Sequence, residues 1–439
     1  MALPQVDHTL RVTGGSPLRG RIRIAGSKNA SLPIMAATLL TQEPVILRNV
    51  PSIIDTAVMA EILSAVGGSV EQQGGGRMVL KSETLSGEVT PELGRRMRAS
   101  IVLLGPLVAR VGLARLPRPG GDSIGARRVE QHLRGLRAMG AEITETDTEF
   151  IARASSRLRG ARIVLDLPTV TGTENLIMAA TLAEGRTEII NAAREPHVCD
   201  LCRCLTKMGA DIRGAGSDEI VVYGGRRLRG TEHRVVPDYL EAGTFAMAVA
   251  AAGGDVVLEA SPPQDLTQVL LKLEQAGAEV ETRAAEIRIR RLVGRQLRPV
   301  DMVTWVHPGF PTDLQGQYMA LMTRAAGETV ISEYLFENRF HHVSELQKMG
   351  ARISVRGRDA LVQGPALLRG TEVTVSDIRS GAALVIAALC GEGATDLRDA
   401  WHIDRGYENF VGKLAALGAA VEVREDRAHS EAAAAGTFE

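Results

Sequence analysis

Met208-Gly209-Ala210 stands where a helix-like run gives way to a short alternating segment, and the fold is read from its recurrence. The same pattern of apolar residue, glycine and small residue appears as Val66-Gly67-Gly68, Met139-Gly140-Ala141, Ala276-Gly277-Ala278, Met349-Gly350-Ala351 and Leu417-Gly418-Ala419, at spacings of 68 to 73 residues. Self-similarity at a steady period marks repeated supersecondary units, here six. Glycine at this position predicts a helix stopped in the left-handed conformation, which a side chain resists and glycine adopts freely. A second marker keeps the same beat: Leu-Arg-Gly at 18–20, 158–160, 228–230 and 368–370.

Each unit reads as a strand or polar turn, a helix, a strand, a second helix and two strands. The first helix is apolar nearly all round at 32–40, 176–182, 245–252 and 382–389, and a helix without a polar face belongs in an interior. Three such helices wrapped by sheets give an α/β domain with helices inside and strands outside, unlike a doubly wound sheet or an ordinary eight-stranded barrel. The sixth unit ends near Arg424 without its closing hairpin, and residues 9–25 resemble the missing piece. The expected division is therefore a discontinuous domain of 1–27 with 235–439 and an inserted domain of 28–234. The alanine-rich tail, 428–439, is expected to fray.

At 439 residues the chain is long for one core. With 45% apolar and 23% charged residues and a net charge of -1, its composition is that of a soluble globular protein without general affinity for polyanions, so nucleic acid is not an expected partner. The first residues lack a basic region followed by an apolar run, and no apolar run is long enough to span a bilayer, so a cytoplasmic location is expected. Cys199, Cys202 and Cys204 lie in a helical-looking run without a second Cys or His pair at zinc spacing, which favours buried reduced thiols over a metal site.

Residues 116–128, Leu-Pro-Arg-Pro-Gly-Gly-Asp-Ser-Ile-Gly-Ala-Arg-Arg, read as a surface loop carrying one acid, Asp122, ahead of Arg127 and Arg128. Taken alone it fits a plain connection better than a closing lid. The starts of the buried helices are more telling, because they differ between units: Lys28 and Asn29, Arg98, Thr169 through Thr173, Glu241, Asp313 and Arg379. Helix N-termini carry partial positive charge, so starts that converge are suited to anions. Each residue alone is as readily a cap or surface charge, but recurrence at one phase of the repeat argues against that. Three further segments, 308–313, 336–340 and 402–407, cluster polar and aromatic residues in a chain with only 3% aromatics.

The stretches Gly-Ser-Lys-Asn-Ala at 26–30, Met-Arg-Ala-Ser at 97–100, the 120–127 loop, Gly-Phe-Pro-Thr-Asp-Leu-Gln at 309–315, 336–340 and 402–408 together resemble the enolpyruvyl transferase family of peptidoglycan synthesis. The likeness runs from about Val12 to Arg424. It implies two inside-out α/β domains, and transfer of the enolpyruvyl group of phosphoenolpyruvate to the 3-hydroxyl of UDP-N-acetylglucosamine by addition and elimination, with no metal or other cofactor. This is the first committed step of a pathway on which cell shape and division depend. The resemblance further implies that Lys28, Arg127, Arg379 and Arg405, with Arg339 nearby, hold the donor's phosphate and carboxylate, that Asp122 delivers a proton and that Asp313 is the candidate base. It places the nucleotide along Arg98, Arg127, Arg128, Val129, Glu130, Gln131, Thr169, Val170, Thr171 and Leu335, with Asn29 beside both substrates.

Two departures stand out. Most family members carry cysteine where this chain has Asp122, and that cysteine is what fosfomycin alkylates, so insensitivity to the drug is expected. The turn from Thr169 to Asn175 replaces the family's Ser-Val-Gly. The competing readings are the related shikimate-pathway enolpyruvyl transferase and a non-catalytic nucleotide-sugar sensor. The first has little use for the 120–127 loop, and the second would lose a catalytic charge, whereas Lys28, Asp122, Asp313, Arg379 and Arg405 are all present.

Overall fold

The structure is a computed structural model that describes residues 8–121, 124–125 and 129–425. The chain divides into two compact units: Gly26–Pro237, and the segment ending at Ala25 together with the chain from Asp238 onward.

All six repeat glycines terminate helices in the left-handed region, with φ of 102° at Gly67, 95° at Gly140, 110° at Gly209, 105° at Gly277, 100° at Gly350 and 90° at Gly418. In each unit the sheets share one plan. The strand that follows a buried helix pairs with a short parallel strand on one side and an antiparallel hairpin on the other. In Gly26–Pro237, Val45–Arg48 lies between Glu232–Arg234, parallel, and the hairpin Ser69–Gln73 with Arg77–Lys81. Arg186–Ile190 lies likewise between Arg162–Val164 and the hairpin Asp211–Arg213 with Glu219–Tyr223. The middle sheet, Leu113–Pro117 with Glu149–Arg153 and Glu142–Glu145, has three strands because its parallel partner shrinks to one bridge between Glu88 and Arg115.

The other unit repeats the plan on Gly254–Glu259, Gly327–Ser332 and Ala394–Arg398. Its N-terminal residues do not make a hairpin, which corrects the reading of 9–25. His8–Thr13 inserts between Ala394–Arg398 and Ala420–Glu425, with Leu10 opposite both Leu397 and Val423, while Leu18–Arg23 runs parallel to Gly254–Glu259 in a different sheet. The two strands thus fill two separate vacancies in the repeat: the last hairpin strand of one sheet and the parallel strand of another.

The helices behind the sheets are buried as their sequences require. Every residue of Gln315–Met322 and Ile378–Leu389 is buried, and so is every residue of Tyr239–Ala252 except the last. Burying each large apolar side chain contributes about 1.5–3 kcal/mol. In Gly26–Pro237 the corresponding helices are Lys28–Ala37, Leu104–Val111 and Val170–Leu182, the second entered through a tighter turn, Arg98–Leu103. The expected 116–128 loop begins later than expected: Leu116 is buried and Pro117 pairs opposite Glu149, because Leu113–Pro117 is an edge strand, where a proline is tolerated.

Candidate active site

In Gly26–Pro237, Lys28 opens its buried helix behind the capping hydroxyl of Ser27, which accepts from the Ala30 amide at 3.3 Å. A cation at a helix N-terminus opposes the helix dipole. Asp55 offsets it, its Oδ2 lying 2.7 Å from Lys28 Nζ, and Asn29 follows half-buried. The Lys28–Ala37 helix packs on the Arg98–Leu103 turn, and that turn on Val170–Leu182. Residues 118–121 lie against the same turn. A Cβ on Gly120 would sit 2.0 Å from the Arg95 carbonyl oxygen, and one on Gly121, where φ is +100°, 2.7 Å from Arg98 Cβ, so only glycine permits this approach. Asp122, Arg127 and Arg128 lie outside the described residues.

Val129 caps the helix Glu130–Ala138 and is buried, while Glu130 is exposed. Gln131, expected to touch nucleotide, spends its side chain on the neighbouring turn: Oε1 accepts the Asp166 amide at 2.6 Å and Nε2 donates to the Leu167 carbonyl at 3.1 Å. Thr169 is the N-cap of Val170–Leu182, with Val170 and Thr171 in its first turn. Thr171 leads into a buried network that the sequence reading missed. Asn175 accepts the Gly105 amide at 2.7 Å and donates both to the Ile101 carbonyl and to Nδ1 of His132, each at 2.8 Å. Since Nδ1 accepts, the proton of neutral His132 is on Nε2, 3.3 Å from Thr171 Oγ1. Burial, and then the charge of Arg98, push His132 down to about 3, which fixes it neutral and places Arg98 close to this network.

The other unit concentrates charge. Asp313, in the short turn Thr312–Leu314 before its helix, meets Arg339 through Oδ1 at 2.8 Å and Arg379 through Oδ2 at 3.3 Å, and both arginines are buried. Arg379 also lies over the Tyr407 ring, 5.2 Å from its centre, and the Tyr407 hydroxyl sits 2.9 Å from Thr244 Oγ1. Burial would lower Arg379, yet Tyr407 and Asp313 more than offset this, and it stays charged. Arg405 is buried just past the turn Trp401–Asp404. Leu335 is held by its backbone, its amide donating at 2.8 Å to Oε1 of Glu333.

Glu333 is a second residue the sequence reading passed over. Almost fully buried, it accepts from the Thr304 hydroxyl at 2.9 Å, the Thr312 hydroxyl at 2.8 Å and the Phe336 amide at 3.1 Å besides Leu335, tying together the turn that carries Asp313 and the loop that carries Arg339. Asp377 is a third. It caps Ile378–Leu389, accepting the Arg379 and Ser380 amides at 2.8 and 3.1 Å, while Ser380 Oγ takes the Asp377 amide at 3.0 Å. An Asp three residues before a Ser at a helix start is a legible capping signal; Glu333 and His132 carry none. Glu241 pairs with Lys413 and accepts the Ala25 amide at 3.1 Å, and burial pushes its carboxyl up to about 7 against the pull of Lys413. Cys202 and Cys204 are buried in Pro196–Lys207, and burial raises both thiols to about 12.

The inside-out α/β fold is that of the enolpyruvyl transferases. Residues 12–414 match the family model of EPSP synthase (3-phosphoshikimate 1-carboxyvinyltransferase). The fold superposes on the enolpyruvyl transferase NikO from Streptomyces tendae with a TM-score of 0.84 at 26% identity, covering 96% of this chain and all of that one. An EPSP synthase from Acinetobacter baumannii shares the fold with a TM-score of 0.73 at 20% identity, over 95% of this chain and 99% of that one. Within the class, the chain is 50% identical to a UDP-N-acetylglucosamine 1-carboxyvinyltransferase from Sorangium cellulosum, over 94% of its own length and 97% of that protein. It is 48% identical to the one from Magnetococcus marinus, over 94% and 98%. The chain belongs to the UDP-N-acetylglucosamine 1-carboxyvinyltransferase family.

Proposed function

We propose that this protein transfers the enolpyruvyl group of phosphoenolpyruvate to the 3-hydroxyl of UDP-N-acetylglucosamine, releasing phosphate, as the committed step of peptidoglycan synthesis in the cytoplasm. The observation that carries the reading is 46–50% identity, along nearly the whole chain, to relatives named for that reaction. The 3-hydroxyl oxygen bonds C2 of phosphoenolpyruvate while C3 takes a proton and becomes a methyl group. Loss of phosphate from C2 and of a proton from that methyl then restores the double bond.

Asp122 is the proton donor to C3 and Asp313 the base for the hydroxyl. Lys28, Arg127, Arg339, Arg379 and Arg405 hold the donor's two anionic groups, for which guanidinium forks suit both phosphate and carboxylate. Arg98, Arg127, Arg128, Val129, Glu130, Gln131, Thr169, Val170, Thr171 and Leu335 bind the nucleotide sugar, with Asn29 next to both substrates. The pairing of Asp313 with Arg339 and Arg379 supports a linked order. An incoming anion draws the guanidinium charge away from Asp313, making the carboxylate more basic when the hydroxyl must lose its proton.

Phosphate release tests the reaction. It should require phosphoenolpyruvate together with UDP-N-acetylglucosamine, and shikimate 3-phosphate should not substitute; the reverse acceptor preference would overturn the reading. Fosfomycin should cause no time-dependent loss of activity, since a carboxylate is a poor nucleophile toward its epoxide, and a covalent adduct on Asp122 would refute this. Asp122→Asn should lower turnover roughly 10²- to 10⁴-fold, the usual scale of general acid catalysis; near-normal turnover removes Asp122 from the donor role.

A further inference from the structure

His341 follows the loop that delivers Arg339, and each of its ring nitrogens faces an atom that can only accept. Nδ1 lies 3.1 Å from the Asn338 carbonyl oxygen, and Nε2 lies 2.5 Å from Oδ2 of Asp377. A neutral imidazole has one N–H and one lone pair, so it would satisfy one of these partners and turn its lone pair on the other. An imidazolium satisfies both. Asp377 is suited to be its counter-ion, because its other oxygen already takes two amides at the start of Ile378–Leu389, where the helix dipole favours an anion. Burial alone would raise the Asp377 carboxyl, but the His341 bond and the charge of Arg339 hold it well below the usual carboxylate range. The same bond raises His341, against burial.

We propose that His341 is held as an imidazolium and is a positioning residue for the anion site: by neutralising Asp377 it leaves the positive field of Arg339 and Arg379 available to phosphoenolpyruvate. The proposal rests on the reading of Arg339 and Arg379 as donor-binding groups. The groups that face His341 are Asp377 from the helix start, and Arg339 and His342 from its own loop. His342 stands edge-on with ring centres 6.0 Å apart and is lowered to about 4 by burial, so it stays neutral near neutral pH. Arg339, Arg379 and His341 face Asp313 and Asp377, with Asp238 also acting on Arg379, so deprotonation of His341 takes one positive charge from a cluster whose carboxylates otherwise match or outnumber its guanidinium groups.

Side-chain nitrogen-15 shifts of the full-length protein, with the His341 signals identified by their loss in His341→Gln, read the protonation directly. Both nitrogens should show imidazolium shifts at pH 7.5, and Asp377→Asn should move the titration down by about one pH unit or more. In kinetics, His341→Gln should raise KM for phosphoenolpyruvate roughly three- to tenfold at pH 7 with kcat nearly unchanged, the scale of one charge near a partly buried site. The ratio to the unmodified protein should fall toward one as pH rises through the His341 titration. A neutral ring at pH 7.5 overturns the proposal, and so does a KM ratio that ignores pH, which is what a merely structural role produces. Failure of the reaction reading would show differently, as no phosphate release from the unmodified protein at any pH, because the nitrogen shifts are read without substrate.

Discussion

Two histidines, one in each unit, sit beside the start of a buried helix and have opposite protonation. His132 accepts an N–H from the Asn175 amide and is neutral, whereas His341 faces a carbonyl and a carboxylate and is a cation. The contrast extends to their surroundings. In Gly26–Pro237 the start of Val170–Leu182 is organised by neutral groups, Thr171, His132 and Asn175, with Arg98 close by and Lys28 and Asp55 as a separate pair. In the other unit they are organised by a dense set of charges around Asp313 and Asp377. One scaffold therefore presents two chemistries: a neutral network holds a hydroxyl in a fixed orientation, while a paired charged network stores guanidinium groups that an anion can recruit.

The sharpest way to break this comparison is to remove one group from each side. Asp313→Ala should lower kcat/KM about 10³-fold, the scale of a lost general base, with the fold intact. Thr171→Val should raise KM for the nucleotide sugar by about tenfold, the scale of one hydrogen bond to a charged group, and leave kcat nearly unchanged. Equal losses in steady-state kinetics would show that the two networks do not divide the work.

Stability offers the next test. Glu333→Ala strips one acceptor group from four donors, the Thr304 and Thr312 hydroxyls and the Leu335 and Phe336 amides. At about 1–3 kcal/mol for a buried group left unpaired, with part recovered by water, the expected cost is about 4 kcal/mol. Asn175→Ala releases the Gly105 amide, the Ile101 carbonyl and His132 Nδ1, and should cost about 3 kcal/mol. Denaturant unfolding measures both. A larger loss at Asn175 would mean that the neutral network, not the charged one, is the more demanding to satisfy.

The sequence reveals the scaffold more fully than the site. The six glycine stops and the all-apolar helices are legible because each is a local requirement: a left-handed φ, or a helix with no polar face to show to water. The starts of the buried helices are legible for the same reason, since repetition fixes their phase. What holds the side chains there is not legible, because it is made by residues far apart in the chain. His132 reaches Asn175 across 43 positions and Arg379 reaches Asp313 across 66, and neither pair has a spacing that marks it. Residues 9–25 read as the closing hairpin that the sixth unit lacks, whereas each of their two strands fills a separate gap in a different sheet. The bonds from the Gln131 side chain to the 166–167 turn are another long-range link with no mark in the sequence.

The smallest expected effect concerns pH and separates the two histidines by sign. His132 has a folded pKa depressed to about 3 by burial, below the 6.5 of the free side chain. Its contribution to stability is therefore complete above pH 6.5 and is lost as pH falls toward 3, at up to about 1.4 kcal/mol per pH unit. His342 acts in the same direction down to about 4. His341, whose folded pKa is raised by Asp377, does the opposite: its stabilisation is complete below 6.5 and is lost as pH rises through its folded value. Chemical unfolding between pH 5 and 6.5 reads His132 together with His342 and, with the opposite sign, Glu241, so the variant at His132 is what separates its share. His132→Gln, which keeps an acceptor for the Asn175 amide but cannot titrate, should flatten the decline relative to the unmodified protein by about 1 kcal/mol per pH unit. An unchanged slope would mean that His132 takes up its proton in the folded protein at least as readily as the free side chain does. The Asn175 amide could not then donate to Nδ1, and the neutral network proposed for Gly26–Pro237 would lose its central member.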